Sequence, residues 1–337
     1  MQCILTKALK LVSRPRTVLL LAGLSLGFMA TSQAQSFAPT KSVKLVVSFA
    51  PGGSVDTSGR FIAASLGEHW HQAVIVENKA GADGNIAADH VAKSVGDGSV
   101  LLITSNAITI TPALNPLPFD PLADLKPIVR VMSIPNFLVV HPSLAVYKLQ
   151  DLIDFAKKNP NRLSFASSGT GTTPFMGMAL LESLSGIQMT HIPFKGSSPA
   201  VLATLSNQTQ LMFGDLNSTM PHIRAGKFRP LGVSGSQRSS LASDIPTIAE
   251  SGVPALAGFE TSTWVGIYGP KSMSHTLSQS IAQDLSVVLK SQAVQDKIKA
   301  MGAQANGETT DEFASFMKND LERWTRLVKE LDIKAGD

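Results

Sequence analysis

Val43-Lys44-Leu45-Val46-Val47-Ser48-Phe49-Ala50-Pro51-Gly52-Gly53-Ser54-Val55-Asp56 decides the architecture. A β-branched run stops at an Ala-Pro-Gly-Gly turn, and Ser54 or Asp56 can then cap a helix carrying Phe61, Ile62 and Leu66. The order is strand, glycine loop, helix. A second strand at 73–77 leads into Gly81-Ala82-Asp83-Gly84-Asn85, a helix of small residues to Lys93, a Gly-Asp-Gly turn at 96–98, and an apolar strand at 100–104. Strand alternating with helix predicts a parallel α/β sheet.

The unit then recurs. Leu163-Ser164-Phe165-Ala166 runs into Ser167-Ser168-Gly169-Thr170-Gly171-Thr172-Thr173 and a helix that ends at Gly186. His191-Ile192-Pro193-Phe194, the loop Lys195-Gly196-Ser197-Ser198, another helix and a strand at 210–213 follow. Toward the C-terminus, Leu277, Ile281, Leu285 and Val288 line one helix face. Phe313, Met317, Leu321, Trp324 and Val328 line a second, opened by a capping box from Thr309 to Glu312. Both stripes read as core. The apolar segment 137–140 is expected to leave the first domain, and 263–268 to return to it.

The N-terminus carries Lys7, Lys10, Arg14 and Arg16, an apolar run from Val18 to Ala30, and Ser32-Gln33-Ala34, the pattern of a secretory signal peptide cleaved after residue 34. The run is short for a membrane anchor and no charged stop-transfer cluster follows. Cys3, the single cysteine, precedes the run, so neither a lipoprotein nor disulfides in the mature chain are expected. The chain has 29 Lys+Arg against 25 Asp+Glu; the four leader bases removed, 25 of each remain. A near-neutral mature protein removes the main support for a nucleic-acid or anionic-membrane surface. Its size exceeds what one core usually serves, so two domains are expected.

Two glycine loops between strand and helix, one per domain, each aim unpaired N–H groups and a helix dipole at whatever lies in front. In doubly wound sheets such loops border the ligand crevice. Two facing each other can hold a mono- or dicarboxylate without arginine, with hydroxyls from Ser54, Ser168, Thr170, Thr172 and Thr173. A helix terminus contributes about 0.3–2 kcal/mol and a micromolar Kd requires about 8, so several N–H and O–H groups must add to it. Asp56 and Asp215 lie at strand-to-helix corners, either as helix caps or as contacts for a hydroxyl, an ammonium or a bridging water.

Other chemistries lack their residues. Gly169-Thr170-Gly171 superficially suggests a dinucleotide loop, but Pro174 stands where the third glycine belongs. No phosphate loop, nucleophile elbow or zinc helix occurs, and Ser315 and Lys318 fall inside the amphipathic C-terminal helix. His69 and His71 flank Trp70 without further ligands and read as surface histidines. No cofactor, metal or catalytic residue is expected. The enzymatic alternative, a serine hydrolase using Ser54 or Ser168, lacks a base within either loop, although His191 or His222 could approach in space.

The stretches Phe49–Asp56, Val76-Glu77-Asn78-Lys79-Ala80-Gly81-Ala82-Asp83-Gly84-Asn85-Ile86, 115–121, Pro193-Phe194-Lys195-Gly196, 221–227 and 244–252 together resemble the Bug family of substrate-binding proteins, also described as tripartite tricarboxylate transporter receptors. The resemblance implies a type II periplasmic-binding-protein fold: two doubly wound α/β domains joined by two hinge-crossing strands, with residues 35–140 plus 259–337 in one and 141–258 in the other. It implies a periplasmic, monomeric receptor that captures a small carboxylate such as a di- or tricarboxylate, aromatic acid or amino acid. The partners would be membrane permease subunits or, alternatively, a sensor kinase. The ligand-binding residues expected are Phe49, Pro51, Gly52, Gly53, Ser54, Asp56, Asn106, Ser168, Gly169, Thr170, Gly171, Thr172, Lys195 and Asp215. Where the family often reads Met-Phe-Asp-Asn, this chain reads Met212-Phe213-Gly214-Asp215. The acid moves by one position and the amide is lost, which leaves the particular solute open.

Overall fold

The computed structural model describes residues 37–334, so the signal peptide expected at 1–34 lies outside the described residues. β1 (Val43–Val47), α1 (Ser54–Trp70), β2 (Val74–Asn78), α2 (Asn85–Ala92), β3 (Val100–Ser105), α3 (Ala107–Leu114) and the single turn α4 (Pro121–Asp124) build the first lobe. The long β4 (Leu125–Val140) leads into the second: α5 (Leu149–Lys158), β5 (Ser164–Ser167), α6 (Thr173–Ser185), β6 (Thr190–Pro193), α7 (Ser197–Leu205), β7 (Leu211–Asp215), α8 (Leu216–Arg224) and β8 (Arg229–Val233). β9 (Ser262–Pro270) returns to the first sheet, followed by α9 (His275–Lys290), α10 (Gln292–Ala300), β10 (Gln304–Ala305) and α11 (Thr310–Glu330).

The strand order is β2-β1-β3-β9-β4-β7-β5-β6, with β10 and β8 also on β4. β4 pairs with β9 as far as Pro135 and with β7 from Asn136 onward, so the sheet passes between lobes within one strand. Two irregularities in the β4–β9 register, near Pro127 and Arg130, bend this pair. β1, β2 and β3 are parallel, as are β5, β6 and β7. The parallel pairing expected from the strand–helix alternation holds among these strands of each lobe, and the strands that pass between lobes depart from it at the centre. β9 runs antiparallel to β3 and β4 because an outgoing and a returning strand laid side by side must run in opposite directions.

Alternation within the strands covers both sheet faces. Leu45 and Val47 face a core with Ile62, Leu66, Leu285 and Val288, while Val46 joins Ala88, Leu102, Tyr268 and Phe313 on the other side. The second lobe repeats this, with Phe165, Leu211 and Phe213 on one face and Ala166, Met212 and Phe137 on the other. α11 serves both lobes. Phe313 and Met317 belong to the first lobe's core, whereas Trp324, with Leu327 and Val328 beside it, packs into the second's.

Two local expectations change. Gly53, not Ser54 or Asp56, is the N-cap of α1, and Thr309 caps α11 without a side-chain cap bond, so no capping box forms. His69 and His71 are exposed, as read from the sequence; His69 Nε2 also lies 3.3 Å from Asp284 Oδ1, and Asp284 accepts from Trp70 Nε1. Among the described residues no metal-ligand cluster occurs, and no helix is long and apolar enough to cross a membrane.

Candidate functional site

The β1–α1 loop is held from behind. Gly52, at φ +91°, donates its N–H to Asp56 Oδ2 at 2.9 Å. Arg60 grips the same carboxylate through Nε and Nη2, and Asn78 Nδ2 reaches both Asp56 Oδ1 and the Phe49 carbonyl. Burial pushes the Asp56 carboxyl up, but the donors Arg60, Gly52 and Asn78 outweigh it and hold it below its usual range. Asp56 thus spends its oxygens on fixing the turn that presents Gly53 and Ser54.

The β5–α6 loop is braced by Ser167, which is fully buried. Its hydroxyl bonds the Gly169 carbonyl and N–H and lies 2.7 Å from His191 Nε2. His191 stacks on Phe165 at 4.8 Å and packs against the tilted ring of Phe175 at 4.6 Å, and burial lowers its pKa to about 4, leaving a neutral imidazole at physiological pH. Thr172 Oγ1 donates to the Gly169 carbonyl and accepts from Ser168.

The two loops meet. A small cavity of about 20 Å³ is lined from the first lobe by Phe49, Gly53, Ser54, Val55, Ser105 and Thr263, and from the second by Ser168, Thr172, Thr173, Pro174, Ser197 and Asp215. That is room for about one water. A neighbouring cavity of about 220 Å³ lies between Gly81–Gly84 and Phe49 on one side and Ser168, Gly169, Pro193, Phe194 and Lys195 on the other. Direct bonds close the lobes around both. Thr173 Oγ1 bonds Asn106 Oδ1 at 2.8 Å, Ser198 Oγ bonds the Pro51 carbonyl at 3.0 Å, and Ala50 N–H donates to the Lys195 carbonyl.

Each loop also receives a carboxylate from the opposite lobe. Asp215, at the end of β7, accepts from the backbone N–H and hydroxyl of Ser54 at the start of α1, from Ser197 Oγ at 3.1 Å and from Asn136 Nδ2 at 2.9 Å. Asp83, between β2 and α2, accepts from Gly171 N–H at 2.9 Å and from Thr170 N–H, both in the loop that precedes α6. Burial raises both carboxyls above their usual value; the surrounding donors pull them back without cancelling it. Among the described residues neither pairs with a cation, so N–H groups, hydroxyls and helix dipoles offset what desolvation costs.

Of the residues expected from sequence, Phe49, Gly53, Ser54, Ser168, Thr172 and Asp215 line the central cavity, and Phe49, Ser168, Gly169 and Lys195 the neighbouring one. Pro51, Gly52, Asp56, Asn106, Thr170 and Gly171 line neither; they brace the loops or bond across the lobes. Sequence reasoning missed Asp83 and Asn136. Asn136 sits opposite Asp215 in the β4–β7 register and donates its Nδ2–H to Asp215 Oδ1. Its signal was a lone polar residue between Ile134-Pro135 and Phe137-Leu138. For Asp83 the signal was an acid in a turn that otherwise demands glycine.

The sequence profile described as the tripartite tricarboxylate transporter family receptor matches residues 59–333. Protein BugT of Bordetella pertussis is 32% identical over 311 residues, covering 91% of this chain and 94% of BugT. Among solved structures, the fold is similar to R. palustris Rpa4515 with adipate, at a TM-score of 0.84 and 32% identity, covering 88% of this chain and 99% of that one. It is also similar to MatC from Rhodopseudomonas palustris with bound malate, at a TM-score of 0.81 and 26% identity, covering 86% and 99%. With its two lobes, hinge strand and facing glycine loops, the chain belongs to the tripartite tricarboxylate transporter receptors, the family of the Bug periplasmic binding proteins.

Proposed function

We propose that this receptor captures a small carboxylate between its lobes in the periplasm and presents the closed form to the permease subunits of a tripartite transporter. The observation that carries the reading is that both loops already bind carboxylate: Ser54 donates to Asp215, and Thr170 and Gly171 donate to Asp83. A solute carboxylate placed at either loop meets the same N–H and hydroxyl groups. The relatives with adipate and with malate bind solutes of this class. The lobes assigned to 35–140 plus 259–337 and to 141–258 close on the solute, the leader 1–34 directs export, and a monomer supplies the complete site.

A hydrolase finds little support. Ser54 Oγ bonds Asp215, Ser168 Oγ bonds Thr172, and His191 engages Ser167, whose buried hydroxyl is committed to the Gly169 backbone.

A thermal-shift screen of the purified protein against mono-, di- and aromatic carboxylates, amino acids and neutral amides tests the reading. A solute at about 100 times its Kd adds roughly 2.7 kcal/mol of stability. A carboxylate hit is expected; hits confined to amines or neutral amides would overturn it.

A further inference from the structure

Gly81, Ala82, Asp83 and Gly84 all have positive φ, at 134°, 47°, 55° and 92°. Two of the four carry a Cβ, which makes this conformation unfavourable for them. Local bonds hold the turn, from Gly84 N–H to the Gly81 carbonyl and from Asn85 Nδ2 to the Ala82 carbonyl. Its effect is to carry the Asp83 side chain across the cleft onto the β5–α6 loop.

That loop has a cradle shaped for it. A Cβ on Gly169 would lie 2.0 Å from Asp83 Oδ1, and one on Gly171 would lie 3.1 Å from Asp83 Oδ2. The missing side chains at 169 and 171 are therefore what admits the carboxylate. Within the cradle, Gly171 and Thr170 present their N–H groups to it. Against Gly171, where a Cβ would come within 2.1 Å of it, stands Thr111 Oγ1, buried and without a hydrogen-bond partner.

We propose that Asp83 is an internal competitor for the solute: its carboxylate occupies the N–H groups of Thr170 and Gly171, latches the lobes closed, and must be displaced before a solute carboxylate can bind there. Asp83 then sets affinity, since the solute gains at this loop only the difference between its own interaction and that of the latch. On displacement, the solute carboxylate reaches Thr111 Oγ1, and the 220 Å³ cavity, which Asp83 and Lys195 line together, takes the Asp83 side chain. The competition rests on the reading of the β5–α6 loop as a carboxylate grip; the latch does not.

The test uses Asp83→Gly, with Asp83→Asn retaining the size but not the charge. Spin labels on Val95→Cys and Leu202→Cys, exposed positions in the two lobes, report lobe separation without solute. The wild type is expected to show one short distance and Asp83→Gly a population at longer distance, with Asp83→Asn between them. Far-UV circular dichroism confirms that each variant is folded. Calorimetry with succinate, adipate and malate then reads affinity. For whichever of these the wild type binds, Asp83→Gly is expected to bind about tenfold tighter or more, the scale of a displaced charge-assisted hydrogen bond. Unchanged lobe separation would overturn the latch, and equal or weaker affinity in Asp83→Gly would overturn the competition. Longer separation with no acid bound by either protein would leave the latch standing and overturn the carboxylate grip, and the competition with it.

Discussion

Glu182→Gln isolates a pair of opposing titrations behind the second loop. Glu182, on α6, and His191, on β6, line the same groove of about 690 Å³, bordered by Leu331 and Ile333 near the C-terminus. Burial raises Glu182 from 4.5 to about 7 against the pull of the Met189 N–H, and lowers His191 from 6.5 to about 4. Between pH 4.5 and 7 the folded state holds a proton on Glu182 that the unfolded chain releases, so this group stabilises at low pH and the contribution fades as pH rises. Between pH 6.5 and 4 the unfolded chain protonates His191 while the folded state does not, so that group destabilises as pH falls. Over pH 4.5–6.5 the two slopes oppose and nearly cancel. At about 1.4 kcal/mol per pH unit each reaches at most about 3 kcal/mol, and partial exposure of Glu182 reduces its share to about 2. Gln keeps a carbonyl for the Met189 N–H and cannot titrate. Urea denaturation at pH 4.5, 5.5, 6.5 and 7.5 should therefore show the variant losing about 2 kcal/mol relative to wild type between pH 7.5 and 4.5. A difference independent of pH, or one that grows toward alkaline pH, would refute the reasoning.

Thr170→Pro removes a backbone N–H from the carboxylate cradle. Affinity for the solute found in the thermal-shift screen should fall about tenfold or more, while the melting temperature without solute drops by only a few degrees; parallel losses would reduce the loop to an ordinary turn. Asp56→Asn breaks the two-point grip of Arg60 and should cost about 1–2 kcal/mol at pH 7. Because the Asp56 carboxyl is held below its ordinary 3.8, its contribution is present above that value and lost as pH falls through its folded value, so the gap to wild type should narrow in acid. Denaturation at pH 3 and pH 7 measures it.

The parts legible in the sequence are those set by neighbours along the chain. Strand, glycine loop and helix follow from runs of Val and Leu, from Pro51-Gly52-Gly53 and from the spacing of Phe61, Ile62 and Leu66, and the elements lie where this pattern puts them. The antiparallel β9 was not legible, because its direction is set by lying beside β4 on the return from the second lobe and not by its own residues. The role of Asp56 stayed open for the same reason. A carboxylate in a first turn reads as a cap or as a ligand contact, and only the arrival of Arg60 and Asn78 gives it a bracing role.

The cleft carries this furthest. A glycine loop before a helix announces affinity for an anion, but not whose. In this chain the nearest anions are its own: Asp215 reaches Ser54 from the end of β7, and Asp83 reaches Gly171 from a turn 88 residues away. Each carboxylate comes from the lobe opposite the loop it meets, so the groups suited to a solute also set the energy of closing without one. An intrinsic preference for the closed form strengthens binding only if the solute fits beside the latch, and weakens it if solute and latch need the same donors. Asp215 faces Ser54 within the central cavity, which has room for about one water, and its carboxylate already accepts from Ser54, Ser197 and Asn136, so a solute reaches it only as the lobes part. Asp83 fills the Gly169–Gly171 cradle itself, where a second carboxylate cannot share two N–H groups. On the proposed reading both acids therefore hold the lobes together without solute, and Asp83, which occupies the donors a solute needs, raises the affinity a carboxylate must bring.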